Sequence, residues 1–353
     1  MFTVTDSKRR VLPVLALSTL LFSSALFAND NFTLERKPVG KGAYEMALTG
    51  EPAALYVATS QSRKLDKGGI VYRLDPATLA VNQVIHNNLK PFGVAVNHAT
   101  GTLFLGNTVN SAVTAVDVKT GEVKKTLVLD ARKRTEDFRP FAPRELVVNE
   151  ATDTVYVGGL GKSSVLWVVD GKDLTLRATI EGLGKSATGL AIDAKASRIY
   201  MTNADNEFIV IDTTTNKVIS RTKLDQDGEH FYLNVALDTA NHRAFITDSK
   251  SPQLLVVDTE TSKVMKKIDL PVSLAVLYNE KRNEVYVTHR AAGKVSVIDA
   301  KNLSVMETID TPTHPNSMAL SADGQTLFVS VKQAGSREKE PTSPDEVIRI
   351  SFK

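Results

Sequence analysis

The sequence NEVYVTHRAAGKVSVID, from Asn283 to Asp299, decides how the rest of the chain is interpreted. It contains two short runs of β-branched and aromatic residues, Val285–Thr288 and Val295–Ile298, separated by a polar loop. The second run ends at an aspartate that begins a turn, a pattern typical of a β-hairpin. A single hairpin cannot bury both of its faces and is marginal in water. The hairpin therefore predicts similar units on either side of it.

Related units occur along most of the chain. Each first run carries an aligned aromatic residue: Tyr56, Phe104, Tyr156, Tyr200, Phe245, Tyr286 and Phe328. Six second runs end at an aligned aspartate: Asp75, Asp117, Asp170, Asp212, Asp258 and Asp299. Successive members of both series are between 41 and 53 residues apart. One more apolar run precedes the run that carries the aromatic residue, and another apolar run follows each aspartate. Each complete unit therefore contains four runs. Four strands per unit at this period predict an all-β fold, a seven-bladed β-propeller.

The seventh unit is incomplete. Its third strand, Glu346–Ile350, is followed by Ser351 where the other units have aspartate, and the chain ends two residues later. We expect Phe32–Val39 to supply the missing fourth strand. Pairing this N-terminal strand into the last blade would close the ring and remove an open sheet edge.

Residues 1–28 have the features of a secretory signal peptide. Three basic residues precede the apolar run Val11–Phe22, and small residues lead to Ala28. The alternative is an uncleaved membrane anchor, but the run is shorter than the roughly 20 apolar residues that a span needs. We predict cleavage after Ala25 or Ala28, a propeller domain over residues 29–353, no membrane span after signal removal, and a periplasmic location, with an extracellular one left open.

Charge and cysteine content limit the possible functions. The formal net charge is +3, and removal of residues 1–28 with Asp6 and three basic residues would lower it to +1. Any binding of an anion must therefore come from local clustering of cations. The absence of cysteine excludes disulfides, thiolate metal sites and cysteine nucleophiles.

Several segments resemble a known family. VYVTHRAAGKVSVIDA (Val285–Ala300) and RIYMTNADNEFIVIDTTTNKVI (Arg198–Ile219) resemble the repeat of the YVTN family of bacterial seven-bladed propellers. Loop segments resemble the periplasmic YncE-type members of that family: Gly40–Leu48, Ala58–Gly69, Gly106–Asp117 and Thr311–Gly324. The resemblance extends over Phe32–Lys353. It implies a periplasmic, non-enzymatic propeller that binds DNA, preferentially single-stranded.

The loops from fourth to first strands and from second to third strands share one face, which we call the top face. The segment DARKRTEDFRPFAPR, Asp130–Arg144, is an insertion in this face with phenylalanines between its basic residues. Single-stranded nucleic acid needs cations for its phosphates and aromatic faces for its unstacked bases. The predicted nucleic-acid-binding residues are Arg63, Lys64, Phe92, Arg132, Lys133, Arg134, Phe138, Arg139, Phe141, Arg144, Tyr232, Arg290, His314 and Lys332.

The alternative interpretation is that these charges form a solvated rim, with the phenylalanines packing the insertion against the ring. The residues alone favour this rim. The family resemblance favours binding for the surface as a whole, without selecting individual residues. A protein-interaction platform, with a periplasmic protein as partner, is the second hypothesis, because propellers serve many functions.

No catalytic residue, cofactor or metal is predicted. The third hypothesis is a metal-dependent, lactonase- or dehydrogenase-like propeller enzyme, for which His289 and His314 would have to meet Glu145 or Asp248 at the mouth of the ring. The aligned aspartates are interpreted as turn formers, and Trp167 as a core residue.

One further motif resembles part of a phosphate-binding loop. It is the tripeptide Gly-Lys-Ser, which occurs at Gly161–Ser163 and again at Gly184–Ser186. Neither copy has the required glycine five residues earlier, and no helix is predicted after either. We therefore predict no phosphate-binding loop at these positions.

Overall fold

Seven antiparallel sheets form a ring in a computed structural model of the chain. The structure describes residues 27–28, 31–62, 67–225, 227–312, 314–335 and 341–353. The first strands of consecutive sheets contact one another, and the first strand of the seventh sheet contacts that of the first sheet. The predicted seven-bladed β-propeller is confirmed.

The strands are numbered in chain order. Before the first complete blade lie β1 (Phe27–Ala28) and β2 (Phe32–Gly40). Blade 1 contains β3 (Ala43–Thr49), β4 (Ala54–Thr59), β5 (Gly69–Leu74) and β6 (Val81–Asn87). Blade 2 contains β7 (Pro91–Asn97), β8 (Thr102–Asn107), β9 (Ala112–Asp117) and β10 (Val123–Val128). Blade 3 contains β11 (Ala142–Asn149), β12 (Thr154–Leu160), β13 (Val165–Asp170) and β14 (Thr175–Ile180).

The remaining blades follow the same plan. Blade 4 contains β15 (Gly189–Asp193), β16 (Arg198–Thr202), β17 (Glu207–Asp212) and β18 (Lys217–Lys223). Blade 5 contains β19 (Tyr232–Asp238), β20 (Arg243–Asp248), β21 (Gln253–Asp258) and β22 (Val264–Asp269). Blade 6 contains β23 (Val276–Asn279), β24 (Glu284–His289), β25 (Lys294–Asp299) and β26 (Ser304–Asp310). Blade 7 contains β27 (His314–Leu320), β28 (Thr326–Lys332) and β29 (Asp345–Phe352), together with β2 and β1.

The described residues form no α-helix, and their only helical turns are the 3₁₀ segments Thr108–Asn110 and Thr239–Asn241. Accordingly, no helix among them is long and apolar enough to cross a membrane.

Burial explains the sequence pattern of the blades. The second strands β4, β8 and β24 are buried along their whole length, whereas the outermost strand β10 is mostly exposed. Both faces of a blade pack against neighbouring blades, so the middle strands are apolar on both sides. This is why their sequences are nearly continuous apolar runs.

The core consists of seven apolar clusters, each built from the facing sides of two adjacent blades. Every one of the seven aligned aromatic residues is buried in one of them. Trp167 lies in the cluster between blades 2 and 3 and is 2% exposed, so its predicted core role is confirmed. Tyr56 also donates a hydrogen bond from Oη to the carbonyl oxygen of Val118 in the next blade, at 2.9 Å.

The ring is closed by the N-terminal strand, as predicted. β2 pairs with β29 over its whole length, from Phe32 opposite Phe352 to Gly40 opposite Asp345. Phe32 and Leu34 are buried in the cluster between blades 6 and 7. The short strand β1 pairs with β2 at the outer edge. The rest of the predicted signal peptide, residues 1–26, lies outside the described residues. Cleavage after Ala28 would remove β1, and cleavage after Ala25 would retain it.

The aligned aspartates form turns, as predicted. Asp258 Oδ1, for example, accepts backbone N–H groups of Glu260 and Thr261 at 3.0 and 2.7 Å. Equivalent backbone hydrogen bonds lower the pKa of all six carboxyl groups below their usual range: Asp75, Asp117, Asp170, Asp212, Asp258 and Asp299. These residues are structural, and they lie on the face opposite the top face.

The first strands of several blades carry a β-bulge close to the top face. Five of the first strands shift register close to their top ends: β3, β7, β11, β19 and β27. A β-bulge of this kind bends the strand and re-aims its side chains. The bulges therefore determine which residues face the mouth of the ring.

Candidate functional site

A line of two adjacent aromatic rings with a cation at each end crosses four consecutive blades at the mouth. Lys332 Nζ lies 3.8 Å from the centre of the Tyr44 ring. The ring centres of Tyr44 and Phe92 are 4.2 Å apart, with their planes inclined by 33°. Arg144 Cζ lies 4.6 Å from the centre of the Phe92 ring. We call these four residues the cation–ring row. Blades 7, 1, 2 and 3 each contribute one of them.

Local sequence explains why the row forms. Tyr44, Phe92 and Arg144 all lie within the bulges of β3, β7 and β11. Gly93 follows Phe92, and a Cβ atom at this position would lie 1.8 Å from the carbonyl oxygen of Arg144. The missing side chain thus lets the strand of blade 3 approach that of blade 2 closely. This close approach places the Arg144 guanidinium over the Phe92 ring.

The two cations of the row have different environments. Lys332 has a side chain only 13% exposed, donates to the carbonyl oxygen of Ala43 at 3.2 Å, and lies 3.8 Å from Asp345. It therefore packs against the Tyr44 ring and contributes little open positive charge. Arg144 is 24% exposed at its side chain and lies 4.0 Å from the Glu145 carboxylate. Arg144 is thus the more accessible cation of the two.

Two carboxyl groups lie beside the row. Burial away from water raises the pKa of Glu145 to about 8, and repulsion from Glu45 raises it further against the opposing effect of Arg144. Burial also raises the pKa of Glu45, whose Oε2 accepts a 2.5 Å hydrogen bond from the Ser317 hydroxyl. The charge at the mouth therefore depends on pH near neutrality.

Replacing Glu145 by glutamine should change how stability depends on pH. Between about pH 4.5 and about pH 8 the folded protein keeps a proton on Glu145 that the unfolded chain has released. The free energy of unfolding therefore falls as pH rises through this window. Glu145→Gln removes this contribution. The melting temperature of the variant relative to the wild type should increase from about pH 5 to about pH 8.

Glu122→Gln, at an exposed turn position, is the matched control for this measurement. Thermal unfolding of both variants and the wild type across the pH series tests the prediction. Parallel curves for Glu145→Gln and the wild type would contradict it.

Three cavities along the mouth are joined by shared lining residues. Arg290 and His314 line the first, of about 290 Å³, and Arg290 also lines the second, of about 130 Å³. Tyr44 is common to the second and the third, which has about 280 Å³ and is also lined by Phe92 and Lys90. We call this continuous series the mouth arc. It brings Arg290 and His314 into line with the row.

The insertion Asp130–Arg144 is anchored by one of its own ion pairs. Asp130 accepts from Nε and Nη2 of Arg132, both at 2.7 Å, and from the Phe141 backbone N–H at 2.8 Å. These bonds, led by those from Arg132, lower the pKa of Asp130 to about 2. Arg132 Cζ also lies 4.6 Å and 5.0 Å from the ring centres of Phe138 and Phe141. Arg132 is therefore a structural residue, which agrees with the rim interpretation.

The other predicted residues are distributed as follows. Lys133, Arg134 and Arg139 are exposed and form no ion pair with another described residue. Tyr232 is 0% exposed and stacked under His230, with 5.5 Å between ring centres, so neither of its faces is open to a base. The predicted contacts Arg63 and Lys64 lie outside the described residues.

The metal cluster considered above does not assemble. His289 is buried, with Nδ1 2.9 Å from the Pro271 carbonyl oxygen and Nε2 2.9 Å from Ser296 Oγ. Asp248 instead pairs with His230, at 2.6 Å. Within the described ranges, no three His, Asp or Glu side chains converge as a metal-ligand set.

Two residues of the mouth, Tyr44 and Lys90, are not among the predicted binding residues. Tyr44 belongs to the apolar run that precedes Tyr56 in the sequence, and that run carries no functional signal of its own. Lys90 lines the mouth arc beside Phe92 and donates to the Ser60 carbonyl oxygen at 3.0 Å. The signal that was available is positional, because Tyr44 and Phe92 both stand near the top of a first strand in adjacent units.

A protein-family model and two relatives found by sequence comparison are all of the YncE type. A model of the YncE-like β-propeller family matches residues 44–339. The YncE protein of Salmonella typhi is 63% identical over 340 residues, covering 95% of this chain and 96% of its own, and that of Escherichia coli K12 is 61% identical over 339 residues, covering 96% of both.

One solved structure shows the same architecture at low sequence identity. A hydrazine synthase chain from Kuenenia stuttgartiensis superposes with a TM-score of 0.68 at 14% identity, covering 83% of this chain and 93% of that one. At this identity the similarity concerns the fold alone. The family model and the two YncE relatives, by contrast, extend over nearly the whole ring, and the chain therefore belongs to the YncE-like β-propeller family.

Proposed function

We propose that the protein is a periplasmic, non-enzymatic binding protein that holds single-stranded DNA across its top face. The observation that carries this proposal is the cation–ring row. Tyr44 and Phe92 are both partly exposed, and their rings lie side by side with Arg144 at one end. Unstacked bases bind on such rings while neighbouring cations bind the phosphates.

The charge distribution around the row supports a polyanionic ligand. Arg290 is exposed at one end of the mouth arc, and Arg144 lies at the other end beyond Phe92. Exposed cations of the insertion, Lys133 and Arg134, lie further along the chain segment that leads into β11. The mature chain is nearly neutral, so this local concentration of cations supplies the attraction to phosphates.

A titration with labelled oligonucleotides tests the proposal. We expect a single strand to bind more tightly than a duplex of the same sequence, because base pairing covers the faces that would stack on Tyr44 and Phe92. The logarithm of the binding constant should fall with the logarithm of salt concentration, with a slope of about −0.7 for each phosphate neutralised. Equal affinity for a neutral polymer of similar length would contradict the proposal.

A protein partner is the second candidate, and one feature of the mouth arc favours it. The cavity of about 290 Å³ is lined by Leu233, Val272 and Leu274 with Arg290 at its side, which suits an apolar peptide side chain beside a carboxylate. Pull-down from periplasmic extract after nuclease treatment separates the two candidates. A partner retained after nuclease treatment, combined with no oligonucleotide binding, would favour the peptide.

A further inference from the structure

A second groove lies on the top face, apart from the mouth arc. It has a volume of about 720 Å³ and lies between the insertion and two neighbouring loops, around Gly161–Ser163 and around Lys185. It shares no lining residue with the three cavities of the mouth arc. Its volume falls within the range of roughly 300–1,000 Å³ that is common for small-ligand sites.

One wall of this groove is aromatic and fixed in place. It includes Phe138 and Phe141, both held by the stacked Arg132. Phe141 also packs edge-on against Trp167, with ring centres 6.1 Å apart. A Cβ atom at Gly161 would lie 2.6 Å from the Phe141 ring, so the insertion and the opposite loop are in direct contact at the floor. The wall is therefore held in place by contacts within the insertion and with the opposite loop.

The opposite wall is formed by the two Gly-Lys-Ser tripeptides. Hydrogen bonds lock their loops together: Ser186 N–H donates to the Gly161 carbonyl oxygen at 2.9 Å, and Ser164 N–H donates to that of Gly184 at 2.7 Å. This arrangement places Lys162 and Lys185 on the same rim of the groove. Both lysines are exposed, and neither forms an ion pair with another described residue.

The polarity of the groove thus changes from one side to the other. Lys162 and Lys185 lie on one side, and Glu136 and Asp137 of the insertion line the other together with Arg139. A ligand that matches this pattern has an anionic end, a flat apolar middle and hydrogen-bond donors at its far edge. A nucleotide with a phosphate and an amino-bearing base has this distribution of groups.

We propose that this groove binds a nucleotide phosphomonoester, with its base against Phe138 and Phe141 and its phosphate at Lys162 and Lys185. The ligand is either a free mononucleotide or the phosphorylated end of a strand, because both present the same chemical group. The site goes beyond the proposed function, since no residue of the cation–ring row takes part. The sequence motif alone did not indicate it, because the phosphate contacts come from two separate loops.

The fluorescence of Trp167 provides the test, since it is the only tryptophan in the chain and contacts Phe141. The probes are adenosine monophosphate, adenosine, inorganic phosphate, and a short oligonucleotide with or without a terminal phosphate. We expect a probe with both base and phosphate to bind at least about tenfold more tightly than adenosine or phosphate alone.

Two variants test the assignment of residues. Lys162→Gln combined with Lys185→Gln should weaken this binding by about tenfold or more, and Phe138→Ala by about fivefold or more. Lys172→Gln, an exposed lysine in a turn outside the groove, is the matched control and should bind like the wild type. Melting curves of each variant verify folding.

The outcomes separate the two sources of ligand and the two proposals. Binding of adenosine monophosphate identifies a free nucleotide, and binding of only the phosphorylated oligonucleotide identifies a strand end. No preference for the phosphate in either arm, or unchanged binding by the double lysine variant, would overturn the proposal. The double lysine variant should bind an unphosphorylated oligonucleotide normally, because neither lysine belongs to the cation–ring row. Loss of nucleotide binding in this variant therefore tests the groove without testing the row.

Discussion

Deleting Asn31–Pro38 is expected to destabilise the whole ring, not only blade 7. The deletion removes most of β2, leaves β29 with an unpaired edge, and opens the cluster between blades 6 and 7, where Phe32 and Leu34 are buried. Each blade is stabilised mainly by its neighbours, so an opening at one point weakens every interface next to it. We expect a broad unfolding transition at a much lower temperature, measured by calorimetry on a chain beginning at Asn29.

Point substitutions in β2 show how much of the destabilisation comes from its buried side chains. Leu34→Ala should cost about 2–5 kcal/mol of unfolding free energy, because it leaves a cavity in a packed cluster. Pro38→Ala is the matched control at an exposed position of the same strand and should cost about 0.5 kcal/mol or less. A deletion variant that melts at the temperature of the full-length domain would refute the closing role of β2.

Replacing Phe92 by alanine should weaken single-strand binding by about fivefold to about 150-fold. The range corresponds to the roughly 1–3 kcal/mol that a stacked base contributes. The salt dependence should stay the same, because no charge is removed. Arg144→Gln should instead reduce the steepness of the salt slope by about 0.7, the contribution of one phosphate. Together the two variants separate stacking from charge.

Phe352 offers a matched control at the opposite face. Its ring also lies under a guanidinium, with Arg282 Cζ 4.8 Å from the ring centre. Phe352→Ala therefore removes the same type of aromatic–cation contact without touching the top face. Phe92 belongs to none of the seven apolar clusters, so its loss should leave the fold intact. Equal oligonucleotide affinity of Phe92→Ala and Phe352→Ala would contradict the role of the row.

The repeat was predictable because it depends on local pattern. An aromatic residue in each second strand and an aspartate at or directly after the end of six of the seven third strands mark the same burial and the same turn in successive units. The predicted strands Phe32–Val39 and Glu346–Ile350 correspond to β2 and β29 within two residues at either end. Closure was predictable for a related reason. The seventh unit lacked its fourth strand, and the strand Phe32–Val39 stood before the first complete unit without partners of its own.

Three of the four residues of the row were predictable. Phe92, Arg144 and Lys332 were predicted because they lie near the top face in the repeat pattern. Tyr44 was not predicted, because its exposure at the mouth depends on the bulge in β3. The proximity of Glu45 to Glu145 depends on how closely blades 1, 2 and 3 pack, and no local sequence pattern indicates that distance. Tyr232 was misjudged for a similar reason. It is the first residue of β19, and His230 covers its ring.

Arg132 illustrates a local signal that was available. Asp130 precedes it by two residues, a spacing at which a carboxylate and a guanidinium often pair within a turn. The structure shows that this pair holds the two phenylalanines of the insertion. A basic residue next to an acidic one in a loop is therefore weak support for a phosphate contact.

The pairing of β2 with β29 has a consequence for biosynthesis. The two strands are the first and last long strands of the propeller, so they meet only after all seven blades have been synthesised. A prematurely terminated product retains an open ring and is exposed to proteases. Completion of the circle thus requires both ends of the propeller, and it holds blades 7, 1, 2 and 3 side by side at the mouth.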